Sequence, residues 1–514
     1  MTKKYNIKAV IVLLSLLSLM TTTFFLFPIN VYSKPETSQL VDLTIVVTDQ
    51  QMPGVENVTD DFLSSPLGSG VNTVDVISSG TTANEQLVFL QTLMAADTAT
   101  AHVIGLDVVW TALFASNGWI RNLDSYLTAG EMDDYVAGLV DAGTYQGHLY
   151  AYPYFNNLGI LFYRTDILDT HFGVGGWSEA DFDTWEELNA TANFVLNNGS
   201  GLLTTADADL VGYVGQFDAY EGGVVNFFEW CGSNGVLDVV TSDGTVNADD
   251  PDVAYAMQFL KDLIPGQYTG VQGNLTDTDP PIGPNSDYNN YIIPRSGLVH
   301  DEGSSVGVWY AENTIFMRQW PFPYGQSVSD GISFGLAPLP HFAGATGYRT
   351  SAVGGAILAI PTATSGADEL EAAVNLTKFL GDTVAQEAEL TSDSSADPGV
   401  QPLSNFPALM SVYSSPPAGF EWIENWTDQL PLTLSRPVHQ DYPLISNTIA
   451  DYFSDLLSCQ KSVDDALTEM QRDLEEIVAG RPEVPGIPGF SIAILILSTA
   501  FTIGIIALLR RKNK

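Results

Sequence analysis

The sequence predicts an α/β fold built on a parallel sheet, and a short region near its start provides the evidence. Val41–Thr48 alternates and is rich in β-branched residues, as in a half-buried strand, and Thr73–Ile77 is a second strand. Ala83–Ala95 has apolar residues at helical spacing, and a buried strand within His102–Trp110 ends at Asp107. A strand, a helix and a strand within about 35 residues form a βαβ unit, whose strands run parallel. Such folds bind ligands in loops at the carboxyl ends of these strands.

Further along the chain, three segments have clear periodicity and two do not. Leu149–Phe155 is predicted as an aromatic strand. Val253–Ile264 and Ser462–Val478 are predicted as amphipathic helices, the first beginning just after a proline. Gln272–Asp301 and Thr391–Ser404 are polar and rich in turn-forming residues, which predicts surface loops.

Both chain ends have the composition of targeting segments. A basic start followed by an uncharged run predicts a signal peptide over 1–33, with an uncleaved anchor as the alternative. The uncharged stretch 490–509 has the length of a transmembrane helix, and the basic tail 510–514 should stay cytoplasmic. A proline- and glycine-rich linker over 481–489 precedes it and resembles archaeal C-terminal anchoring signals. The sequence therefore predicts an extracellular body with a single C-terminal membrane anchor.

The chain is strongly acidic, with 61 Asp and Glu against 19 Lys and Arg and a formal charge of −42. Such a surface repels nucleic acid and anionic lipid, so neither is an expected partner. A solvated extracellular surface and adaptation to high salt both fit this charge. Cys231 and Cys459 permit one disulfide without requiring it. Six N-x-S/T sites could carry glycans, at Asn57, Asn189, Asn198, Asn274, Asn375 and Asn425.

Motifs of covalent chemistry are weak or missing in the sequence. Residues 303–307 match G-x-S-x-G, but an acidic loop precedes them and an apparent strand follows, which is not the context of a nucleophile elbow. No H-E-x-x-H, Walker loop or dinucleotide loop occurs. The acidic stretch Ser242–Asp252 lacks calcium-loop spacing and is predicted as a hairpin followed by a helix start. We therefore predict no enzyme activity, no metal and no cofactor, although a glycosidase carboxylate pair is not excluded by counting.

Eight motifs, in the same order, resemble the extracellular solute-binding proteins of ABC transporters, in the maltose- and trehalose-binding branch. The likeness covers roughly residues 40–478. The motifs are DVVWTALFASNGWIRNLDSYL (107–127), GHLYAYPYFNNLGILFYRTDIL (147–168), FDTWEEL (182–188), AYEGGVVNFFEWCGSNG (219–235), RQWPFPYG (318–325), GLAPLPHFAG (335–344), VGGAILAIP (353–361) and SRPVHQDYPLISNTI (435–449).

The resemblance implies a two-lobed periplasmic-binding-protein-like fold of type II, with a hinge between the lobes. Chain crossings are expected near Tyr154, near Pro338 and near Pro431–Ser435. Lobe 1 would hold 40–154 and 338–430, and lobe 2 would hold 155–337 and 435–480. Such proteins deliver a solute to an ABC permease, so a small saccharide, the permease subunits and the membrane are the implied partners.

Candidate ligand contacts follow from the family positions of residues suited to bind a sugar. Asp107 ends a strand and either contacts ligand or caps the next helix. Tyr154 and Asn157 lie at the first crossing, and several relatives have Asp where Asn157 stands. Trp320 and Phe322 are the candidate stacking platform, with core packing as the alternative.

Other candidates have more than one possible role. Arg436 is expected to clamp hydroxyls or to brace the hinge through Asp441. Tyr220 and Glu221 would reach the pocket from lobe 2. The remaining candidates are Thr81 and Thr82, which could also cap a helix, and Gly355 of the VGGAILAIP motif.

Ala356 stands where sugar-binding relatives often have Trp, so maltose or trehalose specificity does not carry over. The sequence favours capture of a di- or oligosaccharide for import. The alternatives are a non-sugar solute such as a peptide or polyol, a surface glycoside hydrolase, and a sensory receptor without transport.

Overall fold

The computed structural model describes residues 40–96, 100–204, 207–241, 244–265, 291–345, 351–391 and 405–480. The predicted signal peptide, linker, apolar segment and basic tail lie outside these residues, as do most of the two predicted long loops. Across the described ranges no helix combines the length and apolar composition needed to cross a bilayer. All elements below belong to the unit that begins at Val41.

Two sheets form the framework of the molecule. The first has the order β12-β6-β11-β3-β1-β2 and the second β10-β7-β9-β8. The strands are β1 (Val41–Val47), β2 (Val71–Ser78), β3 (Val103–Asp107), β4 (Thr144–Tyr145), β5 (His148–Leu149), β6 (Ala151–Leu158), β7 (Ile160–Arg164), β8 (Val211–Val214), β9 (Thr314–Gln319), β10 (Phe334–Ala337), β11 (Val353–Ala359) and β12 (Phe406–Pro407).

Helices cover both sheets. They are α1 (Met52–Ser64), α2 (Ala83–Ala95), α3 (Thr111–Ser116), α4 (Ala137–Ala142), α5 (Thr165–Phe172), α6 (Trp185–Leu196), α7 (Glu221–Ser233), α8 (Pro251–Asp262), α9 (Glu302–Tyr310), α10 (Pro323–Ser329), α11 (Ala367–Leu380), α12 (Thr383–Thr391), α13 (Met410–Ser414), α14 (Tyr442–Leu457) and α15 (Val463–Val478). Short 3₁₀ turns include Glu179–Asp181 and Glu421–Trp426.

The elements with strong periodicity or clear capping residues were predicted correctly. β1 pairs in parallel with β2 and β3, which confirms the βαβ unit. α2 has the predicted bounds because Thr82 and Glu85 form a reciprocal capping box at its start. α8 starts at Pro251, and Ser462 caps α15. The two sheets define two lobes, which confirms the two-lobed α/β architecture.

One local prediction was wrong, and another had different bounds. Residues 303–307 lie inside α9 and are not followed by a strand, because Asp301 caps a helix that continues through VGVWY. The aromatic strand begins as β5, breaks at Tyr150 and continues in β6 to Leu158. The G-x-S-x-G match still lacks the strand-turn-helix of a nucleophile elbow.

The crossings between the lobes lie later in the chain than expected at two of three places. β6 pairs in the first sheet to Leu158, and β7 begins in the second sheet at Ile160, so the change falls at Gly159 rather than near Tyr154. After Pro338, residues through Phe342 still pack in the second core, and the chain rejoins the first sheet at Val353. At the third place Leu430 packs in the first core and Leu434 in the second, within the expected segment.

A buried ion pair supports the first two crossings. Arg318 and Glu229 bond through two nitrogen–oxygen contacts of 2.7 Å, and both are almost fully buried. The same Glu229 carboxylate accepts the backbone N–H of Ala352 at 3.1 Å. A Cβ on Gly159 would lie only 2.2 Å from Glu229, and Ser351 donates its hydroxyl to the carbonyl of Gly159 at 2.6 Å. The two crossing segments are thus bonded to each other through Ser351, and Glu229 bonds to the second and packs against the first.

Candidate functional site

One wall of the candidate site comes from the carboxyl ends of three parallel strands in lobe 1. The loop after β1 contributes Gln50 and Gln51, the loop after β2 contributes Thr81 and Thr82, and β3 ends at Asp107. The parallel order places these three loops at the same edge of the sheet, where α/β folds bind ligands.

Antiparallel strands complete this wall. Gly354 of β11 pairs with Asn157 of β6, which brings the Asn157 amide to the cleft. Gly355 has φ +103°, a conformation that side chains disfavour. A Cβ there would lie 2.2 Å from the carbonyl oxygen of Phe155, so only glycine fits. Ala356 is fully buried opposite Asp107 and does not line the cleft.

Lobe 2 and the third crossing provide the opposite wall. Tyr220 and Glu221 begin α7, and Glu302 begins α9. The Tyr220 hydroxyl donates to the Glu302 carboxylate at 2.6 Å, and burial together with Glu302 raises the pKa of Tyr220 well above its usual value. All three line the same cleft as Asp107, and the cleft has a volume of about 130 Å³.

Trp320 follows directly after β9 and presents its ring to the cleft. The guanidinium carbon of Arg318 lies 4.1 Å from the indole centroid. A Cβ on Gly354 would approach the ring within 2.7 Å, so the absence of a side chain at Gly354 makes room for it. The indole is therefore held between the lobes in a fixed orientation, as a stacking surface requires.

Arg436 connects both lobes at the base of the cleft. Its Nη2 donates to Asp107 of lobe 1 at 3.1 Å and to the Val353 carbonyl at 3.3 Å, and its Nη1 donates to Glu221 of lobe 2. Glu221 also accepts the hydroxyl of Tyr442. The Nε of Arg436 is buried and has no hydrogen-bond partner in the part of the chain that the structure describes.

Burial and ion pairing act in opposite directions on the pKa values of Glu221 and Arg436. Burial raises the pKa of Glu221, and the Arg436 guanidinium opposes that rise. Burial works against the charge of Arg436, but Asp107 and Glu221 are among the groups that outweigh it and raise its pKa. The network is a largely buried ion triad, whose partners are costly to separate.

The structure brings nine of the eleven predicted residues into one cleft, contributed by both lobes and the third crossing. They are Thr81, Thr82, Asp107, Asn157, Tyr220, Glu221, Trp320, Gly355 and Arg436. Asp107 does not cap α3, whose N-cap residue is Trp110. Thr82 does cap α2, so its side chain is already engaged.

Two predicted residues lie elsewhere, and one predicted partner is wrong. Tyr154 is fully buried and donates its hydroxyl to Glu389 in the lobe 1 core. Phe322 packs against the first core and does not line the cleft. Arg436 is braced by Asp107 and Glu221 rather than Asp441, because the chain turns its guanidinium into the cleft.

Sequence reasoning missed several polar residues of the cleft. Gln51 and Gln86 line it from lobe 1 and Glu302 from lobe 2. Gln51 follows β1 immediately, so the rule that ligands bind at strand carboxyl ends could have identified it. Gln86 and Glu302 sit on helix starts, which carry no comparable signal.

The arrangement suits recognition of a neutral polar molecule. Amides of Asn157 and Gln51 donate and accept, the carboxylate of Asp107 accepts, and Trp320 offers an apolar face. The Asp107 and Glu221 carboxylates both bond to Arg436.

This chain belongs to the family of bacterial extracellular solute-binding proteins, whose model matches residues 70–387. A "Probable ABC transporter-binding protein" from Deinococcus radiodurans is 28% identical over 320 residues, which are 62% of this chain and 66% of that protein. The alignment thus spans slightly less than two thirds of that relative.

Solved structures share the fold. Maltose-bound MalE3 of T. maritima has a TM-score of 0.68 and 24% identity, covering 85% of this chain and 99% of that one. An ABC transporter solute-binding protein from Thermotoga lettingae, bound with α-D-tagatose, has a TM-score of 0.65 and 17% identity at the same coverage. These likenesses establish the two-lobed fold.

Proposed function

We propose that the protein captures a saccharide outside the cell and presents it to an ABC permease without altering it. The observation that carries this proposal is the convergence of Trp320, Asp107 and Arg436 on one cleft between the lobes. An aromatic face beside bidentate hydrogen-bonding groups matches the alternating apolar and hydroxyl surfaces of a sugar. The maltose in the matched T. maritima structure supports the same class of ligand.

Ligand capture would use the existing interlobe contacts. Arg436 already joins Asp107 to Glu221 and lines the cleft, so a ligand that contacts it would meet a side chain bonded to both lobes.

The test is isothermal titration of the full-length protein against mono-, di- and oligosaccharides. Truncating Trp320 to Ala should weaken the best ligand about tenfold, because stacking contributes about 0.5–1.5 kcal/mol beyond its buried area. Tyr255→Ala is the matched control, since Tyr255 is an exposed aromatic of lobe 2 outside the cleft. Failure of every saccharide and polyol to bind would contradict the proposal.

A second candidate is a monosaccharide or polyol, favoured by the size of the cleft. Its volume of about 130 Å³ is below the ~300–1,000 Å³ common for ligand pockets. The matched T. lettingae protein holds the monosaccharide tagatose. Competition between maltose and tagatose or mannitol decides between the candidates: displacement of a bound disaccharide only by other disaccharides would exclude the smaller class.

Anchoring is proposed from sequence composition alone. The apolar stretch 490–509 and the basic tail would hold an extracellular body at the membrane. Deletion of 490–514 should release the protein from the membrane fraction of the producing cells into the medium. Retention of the truncated protein on the membrane would refute this part.

A further inference from the structure

A second cavity lies outside the cleft and is larger than it. Its volume is about 780 Å³, and it separates the free edge of the lobe 2 sheet from a turn of lobe 1. Within the described residues, β10 is the last strand of that sheet and pairs only with β7. The opposite wall is the 3₁₀ turn Glu421–Trp426, and α10 closes one end. We call this space the edge groove.

Aromatic and polar groups line the edge groove together. Tyr324 of α10 stacks on Trp422 with ring centroids 4.3 Å apart and planes inclined by 25°, which fixes both rings. Trp426, Glu179 and Asn425 also line the groove. The Trp422 indole N–H is buried and has no hydrogen-bond partner within the described ranges.

Aromatic rings beside groups that can bond to hydroxyls indicate a ligand that has both apolar faces and hydroxyls. Glu179 and Asn425 can accept or donate to further hydroxyls. Aromatic faces beside such groups suit a saccharide better than a purely apolar molecule.

The sequence adds an independent observation at the same place. Asn425-Trp426-Thr427 is one of the six N-x-S/T sites, and Asn425 is exposed where it lines the edge groove. A glycan attached there would begin within reach of Trp422.

We propose that the edge groove is a second saccharide-binding site, with the stacked rings of Tyr324 and Trp422 as its aromatic wall. The saccharide comes either from solution or from a glycan carried on Asn425. The site is separate from the cleft, because none of its lining residues is shared with the cleft. A test of this second site therefore does not depend on the proposed transport function.

Indole N–H signals in proton–nitrogen NMR spectra of the full-length protein provide the readout. Trp422→Phe keeps an aromatic ring and identifies the Trp422 signal by its loss, with Trp119→Phe in lobe 1 as the matched control. For protein made without glycosylation, maltose, maltotriose and N-acetylglucosamine are titrated in the Trp320→Ala background, which weakens the cleft. The expected result is a saturable shift of the Trp422 signal with a Kd of about 1 mM or tighter. Asn425→Ala, an exposed substitution that leaves the fold intact, should weaken this binding several-fold.

Protein from its native cells tests the attached source. The expected result is a mass excess that Thr427→Ala and Asn425→Gln both remove, and a Trp422 signal that these substitutions return to its unglycosylated position. A shift in the first experiment assigns the site to free saccharide, and one in the second assigns it to the attached glycan. If neither free sugar nor native modification moves the Trp422 signal, the proposal is overturned.

Discussion

Replacing Arg436 with Gln tests whether the ion triad holds the two lobes together. The side chain of Arg436 is 2% exposed and that of Glu221 is 8% exposed, so the variant leaves a desolvated carboxylate without its cation. Removing one partner of a buried pair costs about 3–5 kcal/mol. We expect the lower value, about 3 kcal/mol, for two reasons. Glu221 keeps hydroxyl donors from Tyr442 and Ser446, each at 2.5 Å, and the 19%-exposed Asp107 side chain can hydrate.

The assay is urea unfolding followed by tryptophan fluorescence, run as a double-mutant cycle with Glu221→Gln. A Gln at position 221 can accept one of these hydroxyls with its amide oxygen and donate its amide N–H to the oxygen of the other, without needing a cation. The double variant should therefore lose much less than the sum of the single variants, with a coupling free energy of about 2 kcal/mol or more. Additive losses would refute the reasoning, because they would mean that the guanidinium and the carboxylate do not stabilise each other.

The pH dependence gives this test a second readout. Burial raises the pKa of Glu221 in the folded protein above its unfolded value, and loss of Arg436 removes an opposing influence. Below the unfolded pKa of about 4.3 the carboxyl is protonated in both the folded and the unfolded protein, so its burial costs little stability. The folded protein loses stability as pH rises through the folded pKa, because the buried carboxyl then ionises. The Arg436→Gln variant should thus be closer to the wild type in stability at pH 4 than at pH 8. An equal loss at both values would exclude a desolvated carboxylate as the cause.

Three further predictions concern single sites. Gly355→Ala should lower the free energy of unfolding by about 1–3 kcal/mol or more because of its positive φ and the nearby carbonyl. Gly307→Ala, which lies in open space on α9, should be neutral or slightly stabilising. Equal effects of the two substitutions in urea titrations would contradict this. Gly354→Ala should push the Trp320 ring from its position and weaken ligand binding several-fold in calorimetry, and unchanged affinity would show that the ring position is unimportant. Burial raises the pKa of Glu389 to about 7, so the folded protein loses stability as pH rises from about 4.5 through 7 and this carboxyl ionises. The free energy of unfolding of Glu389→Gln should exceed that of the wild type by up to about 3 kcal/mol at pH 8 and by little at pH 4. Parallel pH profiles of stability for the two proteins would refute the assignment.

Local signals in the sequence were sufficient for isolated elements and for the strand ends of the site. α2 could be placed to the residue because Thr82 and Glu85 are only three positions apart and cap it reciprocally. Asp107 could be placed in the cleft because a buried strand ends there. In both cases the determining interactions are short in sequence.

Facing directions and distant partners could not be predicted in the same way. β6 is covered on both faces, so seven of its eight residues are buried and no alternation reveals that Tyr154 points into the core while Asn157 reaches the cleft. Arg436 bonds to Asp107 and Glu221, which lie 329 and 215 positions away, whereas the sequence offered the nearby Asp441. Such contacts depend on how the two lobes meet, which no short window contains.

The buried Glu229 couples two parts of the backbone that would otherwise bend independently. Because Ser351 bonds to Gly159 and the adjacent Ala352 bonds to Glu229, we expect the two crossing segments to bend together if the angle between the lobes changes. Distances between labels on the outer surfaces of the two lobes, with and without ligand, would then measure such a change.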